Sequence, residues 1–109
     1  MLDWFGELPP RARAKCRVLL GRLAETGHEL RRPTAEYLGD GLYELRAKDL
    51  RVNYRMLYFF HQRWTTVLTH GFTKQTGAIP EREIELAQRR KHAFEADPEG
   101  HTFREERGR

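Results

Sequence analysis

Residues 41–60 read GLYELRAKDLRVNYRMLYFF, and arginines recur at Arg46, Arg51 and Arg55 inside an otherwise apolar and aromatic run. A strand that only needs burying has no use for guanidinium groups at that spacing. Arginine stays protonated, and its planar fork matches the oxygens of a phosphate. Lys74 follows in HGFTKQTG. An amine, unlike a guanidinium, can give up its proton when neighbouring cations lower its pKa. Arg46, Arg51, Arg55 and Lys74 therefore suit chemistry at a phosphate. The arginines would neutralise charge, and the lysine would move a proton or act as a third cation. The plainer alternative for any one arginine is a solvated sheet face with Glu44 as its ion-pair partner. Lys74 is equally readable as a loop lysine.

The charge distribution points to the same stretch. The chain carries a net +4, and residues 41–80 hold six Lys/Arg against Glu44 and Asp49 alone. A phosphate-rich partner could use that excess. His70, beside Gly71, is either a packed strand histidine or a second proton carrier. Tyr54 and Phe72 are either core rings or platforms on which a base could stack. The five histidines show no metal-ligand spacing, and Cys16 is the only cysteine, so no metal centre and no intramolecular disulfide is expected. No phosphate-cradling glycine loop and no Ser–His–Asp order can be read. No run is long and apolar enough to cross a membrane, and the first residues lack the order of a signal peptide, so a reducing cytoplasm is the expected home.

The elements that must position these residues follow from periodicity. Pro9 and Pro10 open a helix in which Ala12, Cys16, Leu19, Leu20 and Leu23 share a face, and Gly27 ends it. TAEYLG, residues 34–39, reads as a second, short helix capped by Thr34, with Asp40-Gly41 as a turn. LYELRA, RVNYRMLYFFH and WTTVLTHGF then read as three consecutive strands, with breaks at Lys48-Asp49 and Gln62-Arg63. If the first break is a tight hairpin, Arg46 and Arg51 lie close together. Alternation on the middle strand puts Val52, Tyr54, Met56, Tyr58 and Phe60 on a core face. Arg51, Asn53, Arg55, Leu57 and Phe59 then form a face that is polar at its start and apolar at its end, like the floor of a cleft. After Pro80 the period is helical again through Ile84, Ala87 and Arg90. The expected fold is α+β: N-terminal helices packed on a small twisted antiparallel meander, followed by a C-terminal helix. Residues 1–97 form a single domain and residues 98–109 a charged tail.

GLYELR (41–46), NYRMLYFF (53–60) and LTHGFTKQTGAIPEREIELAQRR (68–90), in that order, resemble the RelE/HigB-type toxins of bacterial type II toxin–antitoxin systems, in particular the phage-derived HigB-like branch. The resemblance spans about Leu2 to Asp97. It implies a RelE-like fold and a metal-independent, cofactor-free endoribonuclease that cuts mRNA on the ribosome. It also implies a cognate antitoxin, often of helix-turn-helix type, as partner. Carried onto this chain, the catalytic positions are Arg46, Arg55 and Lys74. Arg51, Tyr54, His70, Phe72 and, from the C-terminal helix, Arg90 would contact RNA. The reaction would be attack of a ribose 2′-OH on the adjacent phosphate, in which fixed cations stabilise the added charge. Two alternatives stay open: a toxin of the same fold acting by binding, as ParE-like members do on DNA gyrase, and a degenerate, non-catalytic antitoxin-binding module. Relatives commonly begin with an additional strand, and many carry a lysine where this chain has Gln75.

Overall fold

A computed structural model of the chain describes residues 2–31, 34–62, 65–74 and 78–98. Helix α1 spans Leu2–Glu7 and α2 spans Pro10–Thr26, ending at Gly27, whose φ of 54° is a backbone conformation glycine adopts without penalty. A single 3-10 turn, Gly27–Glu29, leads towards the sheet. Strands β1 (Ala35–Gly39), β2 (Leu42–Asp49), β3 (Val52–His61) and β4 (Thr65–Lys74) pair in sequence order as one antiparallel meander. Helix α3, Glu81–Ala96, closes the domain behind Pro80. The expected α+β arrangement is thus the observed one.

Two sequence expectations fail locally. Residues 35–39 form strand β1, not a helix. Six residues are too few to hold a helix by themselves. Asp40 and Gly41 both have positive φ, 52° and 81°, which is the backbone of a two-residue hairpin turn. That turn folds β1 back onto β2 with Glu36 opposite Glu44 and Tyr37 opposite Tyr43, and the two tyrosine rings meet at 5.0 Å. The second failure concerns Lys48 and Asp49, which belong to β2. The hairpin turns instead at Leu50 and Arg51, between the paired Asp49 and Val52. Arg51 is therefore an exposed turn residue, and Arg46 lies opposite Arg55 rather than beside Arg51. The other break turns at Gln62, while Arg63 and Trp64 lie outside the described residues, as does the tail from residue 99.

The sheet has two covered faces. On one, Ala12, Cys16, Leu19 and Leu23 of α2 fall at helical spacing and pack on Leu45, Ala47, Tyr54, Met56 and Tyr58. Each large side chain fully buried there contributes roughly 1.5–3 kcal/mol. The Cys16 thiol behaves as part of this apolar layer, its pKa pushed up to about 11 by burial. On the other face, Leu42, Leu57, Phe59 and Phe72 pack against Ala87 and Phe94 of α3. The alternation read for β3 is the observed one, with a core face under the helices and a second face that becomes apolar towards Phe59.

Trp4 of α1 closes the first face against β4. Its indole Nε1 donates to Thr73 Oγ1 at 3.1 Å, and its ring lies directly over Gly71. A Cβ at position 71 would stand 2.4 Å from the ring, closer than side chains approach. Gly71→Ala should therefore destabilise the fold by about 1–3 kcal/mol. Chemical denaturation followed by circular dichroism measures this, and Trp4→Leu in the same chain should return a large part of the loss.

Candidate functional site

The arginine face is built by three strands. Arg46 on β2 and Arg55 on β3 are direct cross-strand partners, so both side chains leave the sheet on the α3 side. Two like charges at this spacing repel. The sheet resolves the conflict with Glu44, two residues before Arg46 on the same face and completely buried. Arg46 Nε donates to Glu44 Oε1 at 2.5 Å, Arg55 Nη1 donates to Glu44 Oε2, and Arg46 Nη2 reaches Glu36 on β1. Partial burial by itself would lower the pKa of Arg46; the bonds to Glu44 and Glu36 outweigh it and raise the pKa, keeping the guanidinium charged.

The result is a quartet without net charge. Its members differ in access: the Arg46 and Glu36 side chains are 35% and 33% exposed, Arg55 is 13% exposed and Glu44 is not exposed at all. Arg46 and Glu36 can meet a ligand, whereas Glu44 can only hold the arginines. Arg55 Nε is buried and finds no acceptor among the described residues. A buried donor left unmatched costs about 1–3 kcal/mol.

The other sequence candidates are placed as follows. Phe72 is opposite Arg55, on the same face, but is buried in the α3 cluster. Tyr54 lies on the helix-covered face, tilted against Trp4 at 6.5 Å between ring centroids. Neither ring is exposed as a stacking surface, and Tyr54 points away from the arginines because neighbouring strand residues alternate faces. Lys74 ends β4 opposite Asn53; its side chain, like Gln75, lies outside the described residues. Arg51 is exposed at the β2–β3 turn. Arg90 of α3 donates Nη1 to the carbonyl of Thr69 at 2.8 Å. Thr69 is the extra residue of a β-bulge, since Leu57 pairs with His70 while Tyr58 pairs with Leu68.

His70 is buried beside this bulge. Its Nε2 lies 2.9 Å from Glu83 Oε1, and its Nδ1 lies 3.1 Å from Thr69 Oγ1. Burial lowers its pKa, Arg90 adds to that shift, and Glu83 opposes it. The neutral imidazole fits if Nε2–H donates to Glu83 and the Thr69 hydroxyl turns its one proton to Nδ1 rather than to the Leu57 carbonyl, 3.3 Å away. The sequence reading missed Glu83 as a partner of His70. An acid two residues into α3, facing a strand histidine across the sheet, has no local signature. Among the described residues, no three His, Cys, Asp or Glu side chains group as metal ligands, and no helix is long and apolar enough to cross a membrane.

Two measurements test this electrostatic arrangement. Glu44→Ala leaves two part-buried guanidiniums without their shared anion, and should lower the unfolding free energy by about 3–5 kcal/mol, as breaking a buried ion pair does. Adding Arg55→Leu should recover part of that loss. The second concerns pH. The folded-state pKa of His70 lies below its ordinary value of 6.5, so the unfolded chain takes up the proton first. Stability contributed at neutral pH should therefore fall as pH drops below about 6.5. His70→Asn should show a shallower decline in denaturation midpoint between neutral and mildly acidic buffers.

No curated protein matches the chain significantly. The family model described as Phage derived protein Gp49-like (DUF891) matches residues 3–92, from within α1 well into α3 and including every site residue described above. With over four-fifths of its length matched, the chain belongs to the phage-derived Gp49-like family, a family associated with RelE/HigB-like toxins.

Proposed function

We propose that this chain is the toxin component of a toxin–antitoxin module and acts as a metal-independent endoribonuclease on ribosome-bound mRNA. The observation that carries this reading is the opposed pair Arg46 and Arg55, held side by side by a buried carboxylate and with Arg55 Nε unmatched. A scissile phosphate docking over Arg46 would displace the exposed Glu36 while Glu44 keeps both guanidiniums in place. The phosphate oxygens would then take the donors that Glu36 releases. Preorganised cations cost nothing to reorient as the second negative charge develops on the pentacoordinate phosphorus.

In this reading Lys74 moves the proton. The 2′-OH loses a proton as it attacks, the P–O5′ bond breaks, and the leaving 5′ oxygen takes a proton. A 2′,3′-cyclic phosphate and a 5′-hydroxyl end result. Arg51 holds the RNA backbone beyond the site. His70 and Arg90 brace β4 against α3, which closes the apolar end of the cleft. The antitoxin, often a helix-turn-helix protein in this family's relatives, would neutralise the chain, and the cytoplasm is where such a pair would meet ribosomes.

One observation favours a second reading. Arg46 and Arg55 are already bonded to Glu36 and Glu44, so neither arginine of the pair stands as a free cation. A non-catalytic module that only binds its antitoxin, or a toxin that acts by binding a protein target such as gyrase, would tolerate that occupancy.

A cell-free translation reaction with 5′-end mapping separates the two. Wild type should produce new ends at defined codon positions on translated RNA only. Arg46→Gln and Lys74→Ala should each lower cutting by about 10²-fold or more, the scale for losing one transition-state donor. Intact RNA in every lane, with the wild type folded, would leave the binding-only reading standing.

A further inference from the structure

Tyr54 and Phe72, the rings read from the sequence as stacking platforms, are both buried. Among the described residues the exposed Tyr, Phe or Trp side chain is Tyr37 of β1, 56% exposed. One ring in water needs no explanation by itself. Tyr37, however, is the outer end of a row of rings. It lies 5.0 Å from Tyr43, Tyr43 lies 5.1 Å from Phe60, and His28 stacks on Phe60 at 3.7 Å between centroids. Beside this row is a cavity of about 670 Å³, lined by His28, Leu30, Arg31, Glu36, Tyr37 and Tyr43.

The ring of Tyr37 is held in place. Its hydroxyl accepts from the amide of Gly41 at 3.1 Å, across the β1–β2 turn, and its plane is tilted 55° to that of Tyr43. A surface that is already ordered loses little entropy when a flat ligand settles on it. Arg31 is exposed, and its guanidinium forms no ion pair among the described residues. It differs in this from Arg46 and Arg55, which are both bonded to carboxylates.

Glu36 joins this cavity to the arginine site. Neighbouring strand residues alternate faces, so Glu36 and Tyr37 stand back to back on β1. The Glu36 carboxylate bonds Arg46, and Glu36 also borders the cavity, because β1 is the outermost strand. A chain held at Arg46 can therefore pass over the rim of β1 and reach Tyr37 without crossing the body of the domain.

We propose that this cavity receives a base of single-stranded RNA, stacked on Tyr37, with Arg31 against a neighbouring phosphate. Every base has a π-face, and a ring paired with a cation is how proteins hold single strands without reading their sequence. A base also brings ring-edge donors and acceptors to His28, Arg31 and Glu36. An aliphatic side chain of a protein partner would leave those polar groups unmatched. The inference rests on the nuclease reading for the identity of its ligand, and adds to it a contact outside the proposed catalytic set.

The test uses the full chain and a fluorescein-labelled twelve-nucleotide RNA, 2′-O-methylated throughout so that no 2′-OH can attack. Binding followed by anisotropy should weaken about fivefold or more in Tyr37→Ala, the scale of one stacked base. Arg31→Ala should weaken it too and flatten its dependence on salt. Tyr37→Phe loses the bond to Gly41 but keeps the ring, and should bind as the wild type does. A purely structural role for Tyr37 would instead make Phe and Ala equally weak, and would overturn the proposal. An analogue carrying 5-iodouridine should cross-link on irradiation to Tyr37 or Tyr43, as located by mass spectrometry. Folded Tyr37→Ala binding as tightly as the wild type, or cross-links confined to other residues, would overturn the proposal. So would a wild type that binds no RNA, which would leave the cavity to a protein partner. Cutting of translated RNA by the wild type beside any of these results would spare the nuclease reading. Intact translated RNA beside Tyr37-dependent binding would sink that reading and keep the stacked base.

Discussion

The Glu44 carboxylate is the interaction on which the arrangement of this sheet depends. It is completely buried, and moving such a group out of water costs several kcal/mol unless charge and hydrogen bonds replace the lost hydration. Arg46 and Arg55 supply both. They in turn are cross-strand partners whose direct repulsion is relieved only by the anion between them. Glu36 and Glu44 are likewise cross-strand partners, so a row of two acids sits beside a row of two bases over three strands. Each like-charged row is unfavourable alone and tolerable beside the other. A slip of one residue between β2 and β3 would carry Glu44 to the helix-covered face, among Ala12, Cys16 and Leu23, with no partner. The quartet thus fixes the register that brings the arginines together.

That register also decides how much of the face α3 can cover. Leu57, Phe59 and Phe72 form an apolar bed for Ala87 and Phe94, while the arginine end offers α3 nothing apolar to bury. The helix is fastened by polar contacts at the bulge instead. Arg90 satisfies the carbonyl of Thr69, the residue without a cross-strand partner, and Glu83 accepts from His70. These two bonds hold α3 beside the charged quartet without covering it. The open ground between them is set by where the sheet changes from apolar to charged, not by a separate loop.

Much of this was legible in the sequence, and the failures share a cause. Alternation over VNYRMLYFFH has one solution once the aromatic side is buried, so both faces of β3 could be assigned. Helix α2 announced itself through the spacing of Ala12, Cys16, Leu19 and Leu23 and through Pro10 and Gly27. Strand β1 was misread because AEYLG has neither length nor strong alternation; its strand geometry comes from pairing with β2, which no local pattern encodes. The β2–β3 turn was misplaced because Lys48 and Asp49 look like breakers, whereas the turn uses Leu50, a residue whose propensity argues against it. Glu44 was readable as a partner for the arginines, since it shares their face. Glu36 and Glu83 were not, because each reaches its partner only through tertiary packing.

The neutral quartet bears directly on how a basic sheet can remain compatible with its own fold. Arginines gathered for a phosphate would, without counter-ions, push β2 and β3 apart whenever the phosphate is absent. The two carboxylates occupy unequal positions in this respect. Glu44 is sealed in and cannot leave without exposing a buried charge pair, so it belongs to the scaffold. Glu36 is a third exposed and stands on the short edge strand, where its carboxylate can return to water at little cost. An incoming anion would therefore compete with Glu36 for Arg46 and leave the Glu44 contacts intact. The same asymmetry separates the two carboxylates on mutation: removing Glu36 frees a guanidinium donor, whereas removing Glu44 dismantles the pair that a ligand would need.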